Sequence, residues 1–245
     1  MELREYSTRP VCLEALEIIT RHFRQLEAAI PPARWVPWED SYNWRFVEQM
    51  PEQLLLQKLA RQITGVKTVD LLLMAGYLQE IGVLYRTLDE IEEDVLFICF
   101  GNITGNWLQA HDEYVKYFWS EDTEDRQPPV QRKKIRAYVN RAFDHPDPSR
   151  GDAVGREIHK TYSDYTHARS APIMSMVHGP PARFDVDGIH DRSAQFPYVH
   201  QNPTYFYRCM ISACATAKVV LPDQQGSVLF SEMKEFEDQH RELLF

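Results

Sequence analysis

The 245-residue chain lacks most of the features that announce a reaction. There is no Walker-type phosphate loop, no dinucleotide-binding glycine pattern and no Gly-x-Ser-x-Gly elbow, so the readable nucleotide-binding and acyl-transfer motifs are excluded. No apolar run approaches the roughly 20 residues of a membrane span, and no membrane association is expected. Cysteine is scarce: Cys12, Cys99, Cys209 and Cys214 include no Cys-x-x-Cys pair. They read as reduced core residues of a cytoplasmic protein, and neither a structural zinc site nor a nucleophilic thiol is expected. Basic charge is also short, with 27 Lys and Arg against 36 Asp and Glu for a net charge of −9. That balance argues against a broad nucleic-acid-binding surface. The start, Met1-Glu2-Leu3-Arg4-Glu5, is polar with no apolar segment behind it, so no secretion leader is expected.

What is present is the pattern of a helical globular protein. Hydrophobic residues make up 44% and charged residues 26% of the chain, ordinary values for a folded domain. The expected fold class is all-α: one domain over residues 1–245, a multi-helix bundle of seven to nine helices around a long central helix at about 70–100. A first helix follows Ser7-Thr8 and stops at Pro31-Pro32. A Trp-rich connector (Trp35, Trp38, Trp44) is expected to pack, because aromatics bury large areas. Residues 54–63 should form a short helix closed by Gly65. A helix over 107–119 and a basic helix after Pro128-Pro129 are expected next, and Gly151 to about Met176 should be a long helix that Pro172 kinks or ends. A small β-hairpin near 183–190 can turn at Asp187-Gly188. Asn202-Pro203 has the pairing of a cap and first helical residue for the helix through Leu221.

The central helix carries the densest polar block, residues 85–94. On a 100° wheel Tyr77, Ile81, Leu84, Leu88, Ile91, Val95 and Ile98 share one face. Arg86, Glu90 and Asp94 follow at successive four-residue steps, so Arg86 and Glu90 can pair. The block is either a solvated face with intrahelical ion pairs or, where the bundle buries the helix on several sides, part of a site, because a buried ion pair is a poor stabiliser. A second constellation places His159, Ser163 and His167 on one helical face, a poor core face and a candidate for acid/base work. The basic island Arg132, Lys133, Lys134 and Arg136 is expected to be a solvated face balancing the acidic run 121–125. A metal site combining Glu80, Glu90 or Asp94 with His167 is geometrically open. Only one Glu-x-x-His occurs, Glu237 to His240, and no metal or cofactor is assigned.

The Arg86-x-x-x-Glu90 step on an apolar helix, followed by Tyr162-Ser-x-Tyr165-x-His167 and joined by residues 205–208, resembles bacterial all-helical families of uncharacterised function. Those families are similar in turn to the HEPN superfamily. The resemblance covers about a third of the chain. It implies a helical bundle of toxin or defence type, nucleotide- or RNA-directed and dimeric, with an Arg-x(4–6)-His motif on a helix. The one literal match here, Arg183 to His190, runs through Asp187-Gly188 instead.

Two function classes follow. In the first, Arg86 and Glu90 join His159 and His167 as catalytic residues around a polar cavity, with Arg169, Arg208 and Tyr165 holding a nucleotide or RNA. In the second, the same residues form a structural polar network in a non-enzymatic binding or assembly module. A carboxylate/His metal-binding bundle is the remaining alternative. The first two differ on whether Arg86, Glu90, His159 and His167 converge on a pocket.

Overall fold

A computed structural model describes residues 3–120, 127–143 and 160–245. The fold is an all-α bundle with two small antiparallel strand pairs. Helix α1 (Arg9–Ala29) buries Cys12, Ala15, Ile19, His22, Phe23 and Leu26, the three- and four-residue spacing of one helical face. Strands β1 (Arg34–Trp38) and β2 (Ser41–Arg45) pair with Trp35 opposite Trp44. This hairpin was not expected, and its aromatics do not enter the core. Trp35, Tyr42 and Trp44 are exposed and pack on one another, with Trp35 ring centroids 5.3 Å from Trp44 and 6.4 Å from Tyr42.

Helix α2 (Pro51–Ala75) runs straight through Gly65. That glycine is a contact point, not a stop: a methyl group there would lie 2.8 Å from Leu88 Cδ2, so it lets the central helix approach closely. The stop comes at Gly76, in the left-handed region at φ +78°, whose N–H bonds back to the last carbonyls of α2. The central helix α3 therefore spans Leu78–Ile103, beginning later than the apolar periodicity alone implies. Gly76 also lies backbone to backbone with the chain at Gly188: Ile189 N–H donates to Gly76 O at 2.8 Å, and Gly188 has φ +109°. Asp187-Gly188 is thus a docking point against α2. The second strand pair, β3 (Val177–His178) with β4 (Arg183–Phe184), turns instead over residues 179–182.

Between these lie α4 (Gln109–Trp119), α5 (Arg132–Ala142), α6 (residues 160–166) and α7 (Ser170–Met174). The expected helix through Met176 is broken at 167–169, where Ala168 has φ +46°, and Pro172 falls in the short helix after the break. Helix α8 (Arg192–Val220) starts ten residues before the expected Asn202-Pro203 cap. Its cap is Asp191, whose carboxylate accepts from the Ser193 and Ala194 N–H groups at 2.9 and 3.0 Å. Pro203 sits inside the helix and cannot donate to Val199 O; the Thr8 hydroxyl donates to that carbonyl instead, at 2.7 Å. Buried Asn202 donates to Tyr6 Oη at 2.6 Å. Helix α9 (Asp223–Leu244) closes the chain.

Helix α8 packs against α1, α2, α3 and α9, and α3 lies between α2, α8 and α5. The small residues Ser212, Ala213, Thr216 and Ala217 of α8 are all buried. One core cluster joins α1, α2, the first half of α3, α8 and α9. A second surrounds the second half of α3 with α4 and α5. Among the described residues no helix is long and apolar enough to cross a membrane.

Candidate functional site

Helix α3 is enclosed on several sides, so its polar block cannot be a solvated face. Ile81, Leu88, Ile91, Val95 and Ile98 are buried as the wheel predicts, but so are Tyr85, Glu92 and Asp94. Carboxylates buried this way need cations, and three other helices supply them. From α8, Arg208 donates through Nη1 to Asp89 Oδ1 and through Nε to Glu92 Oε2, both at 2.6 Å. From α5, Arg136 reaches Glu93 at 2.7 Å and Arg132 lies 2.6 Å from Asp94 Oδ1. From α2, Lys58 donates to Asp94 Oδ2 at 2.8 Å. Asp89, Glu92, Glu93 and Asp94 are thereby matched by Arg208, Arg136, Arg132 and Lys58.

Burial pushes the Asp89 and Glu92 carboxyls above the usual carboxylate range, with Arg208 pulling the other way. At Arg208 burial acts to remove the charge, but Glu92 and Asp89 outweigh it and the guanidinium stays protonated. Tyrosines pack beside this network. Tyr85 stacks on Tyr205 with centroids 3.8 Å apart, Arg208 lies over the Tyr205 ring at 4.9 Å, and Tyr162 Oη accepts from Gln201 at 2.6 Å.

The residues singled out from the sequence are dispersed around this network. Arg86 and Glu90 form the expected pair, at 3.4 Å and half-buried. Arg208, expected to hold phosphate, is engaged by two carboxylates. Tyr165 packs its ring over Gly82, where a methyl group would lie 2.6 Å from the ring, and shares a hydroxyl contact with Tyr198 at 3.1 Å. His167 is exposed in the turn after α6, and no hydrogen bond or ion pair joins it to Arg86 or Glu90. Arg169 is exposed and pairs with Asp164 at 3.2 Å. His159 and the acidic run 121–125 lie outside the described residues. The basic island, expected to be a solvated face, sends Arg132 and Arg136 inward to α3. Glu237 accepts from Tyr207 and Lys234, while His240 contacts Glu14 at 2.9 Å. Among the described residues no group of three His, Cys, Asp or Glu side chains could hold a metal ion.

The chain matches no family model, no curated protein and no solved structure. Function has to be read from the site itself.

An apolar cavity lies elsewhere, between the end of α3, the middle of α8 and the start of α9. It measures about 620 Å³ and is walled by Leu96, Phe100, Ile103, Ile211, Cys214, Ala215, Phe230 and Met233. Lys218 and Lys234 line its polar edge. Each uses one N–H on a neighbouring carboxylate, Asp223 at 2.8 Å and Glu237 at 3.0 Å. An ammonium has three donors, so both lysines keep capacity for a ligand. Cys214 is no nucleophile, as burial pushes its thiol up to about 12. A sequence reading could not assemble this cavity, because its walls come from residues more than a hundred positions apart.

Proposed function

We propose that this chain is a ligand-binding helical bundle in which the α3 charges form a structural ion network. The apolar cavity between α3, α8 and α9 receives the apolar body of a small amphiphile, and Lys218 and Lys234 meet its anionic head. One observation carries this reading: the charged block is neutralised across helices, whereas the cavity between α3, α8 and α9 is ringed by hydrocarbon with two lysines at its edge. Concave apolar sites with a few convergent polar groups are the usual form of small-molecule sites. The four free cysteines fit a reducing, cytoplasmic setting.

Displacement of a fluorescent fatty-acid analogue tests the proposal. Decanoate should compete better than decanol, and Ala215→Phe, which fills the cavity, should abolish probe binding without unfolding the protein. Undiminished binding to folded Ala215→Phe would refute it. The nucleotide-directed reading draws its support from a different part of the fold, a cleft of basic side chains beside Arg192.

A further inference from the structure

The amino-terminal segment and the first turns of α8 enclose a cleft of about 510 Å³ that shares no lining residue with the apolar cavity. Its walls bring together Arg4, His190, Arg192 and His200, with Phe196 and Glu5. Two guanidinium groups and two imidazoles thus converge in a chain whose net charge is −9, against the overall electrostatic trend.

Two carboxylates close to Arg192 are engaged elsewhere. Glu5 accepts from Arg9 Nη1 at 2.7 Å. Asp191, next to Arg192 in sequence, caps α8 through the Ser193 and Ala194 N–H groups. No carboxylate pairs with Arg192 among the described residues. His190 Nδ1 is buried without a hydrogen-bond partner, a condition that a bound polar group would relieve. At the rim, Phe196 is exposed and packs against His200 with ring centroids 4.1 Å apart and planes tilted by 52°, which leaves an aromatic ring beside the cations.

We infer that this cleft binds a small phosphate monoester of mononucleotide size, its phosphate held by Arg192 with His190 and its ring laid against Phe196. Guanidinium groups match phosphate oxygens in a planar, two-point geometry, and histidines add donors. Aromatic faces take planar rings. The excess negative charge over the rest of the chain selects a compact ligand over a long polyanion. Binding here is independent of the apolar cavity, so failure of either leaves the other standing.

Isothermal titration at low ionic strength, with AMP, ribose 5-phosphate, inorganic phosphate, adenosine and a 12-nucleotide RNA without terminal phosphate, tests the inference on the full chain. AMP should bind at least tenfold more tightly than adenosine, as charge-assisted hydrogen bonds imply. Ribose 5-phosphate should bind more weakly than AMP, and inorganic phosphate more weakly still. Arg192 is exposed, so Arg192→Gln should keep the melting temperature while weakening AMP about tenfold or more. Phe196→Ser should weaken AMP and leave ribose 5-phosphate unchanged. Equal binding of AMP and adenosine, unchanged affinity in Arg192→Gln, or RNA binding tighter than AMP would overturn the inference.

Discussion

Replacing Arg208 by Met is the sharpest test of what holds α3 in place. Methionine keeps the length and apolar stem but removes the cation that bonds both Asp89 and Glu92. The side chains of the three residues are 28%, 14% and 10% exposed, so the two carboxylates would be left largely out of water and unpaired. Breaking a buried pair by removing one partner costs about 3–5 kcal/mol, and the residual exposure of Arg208 places this case near the lower end. About 3 kcal/mol corresponds to a fall in melting temperature of roughly 6–12 °C for a chain of this size. The triple variant Arg208→Met, Asp89→Asn, Glu92→Gln removes all three charges together. It should be more stable than Arg208→Met alone, because buried amides left without partners cost less than buried unpaired carboxylates. Urea denaturation followed by far-ultraviolet circular dichroism reads all three proteins. A loss below about 1 kcal/mol in Arg208→Met, or no recovery in the triple variant, would refute the reasoning.

Other perturbations follow from the same structure. His111 is fully buried, accepts from the Leu108 N–H at 2.8 Å and stacks on Phe97 at 4.0 Å; burial pushes its pKa down. A base with a depressed folded-state pKa gives stability that is lost as pH falls from its unfolded value, about 6.5, through the folded one. Wild-type stability should therefore decline below pH 6.5, and His111→Phe should show a flatter profile in urea titrations at successive pH values. Gly188→Ala would force a methyl group into the Ala75 carbonyl at a positive φ, costing about 2–4 kcal/mol from the left-handed conformation and the overlap together; wild-type stability in thermal melts would contradict this. Thr8→Val leaves Val199 O without a donor at the Pro203 gap and should cost about 1–2 kcal/mol, whereas Thr8→Ser should cost clearly less in the same denaturation assay.

How far the sequence could be read depends on whether the deciding contact is local. The apolar face of α3 is a local pattern, and Ile81, Leu88, Ile91, Val95 and Ile98 are buried as the periodicity requires. Which glycine ends α2 is not local. Gly65 and Gly76 look alike in sequence, but Leu88 packs over one while the chain at Ile189 docks on the other. Pro203 marks a helix start by propensity, yet α8 passes through it because Thr8, far away in sequence, takes the orphaned carbonyl. The Arg86–Glu90 pair was legible as a four-residue step. The cations that neutralise the rest of the block, Lys58, Arg132, Arg136 and Arg208, come from three other helices, and no spacing rule connects them to α3.

The proposed division of labour gives α3 a structural role and the apolar cavity the binding role. It is tested most directly by titrating a fluorescent fatty-acid analogue into wild type, Ala215→Phe and the neutral triple variant at Arg208, Asp89 and Glu92. Ala215→Phe should lose the probe while the triple variant binds it with wild-type affinity. Loss of binding in a folded triple variant, with Ala215→Phe unaffected, would contradict it.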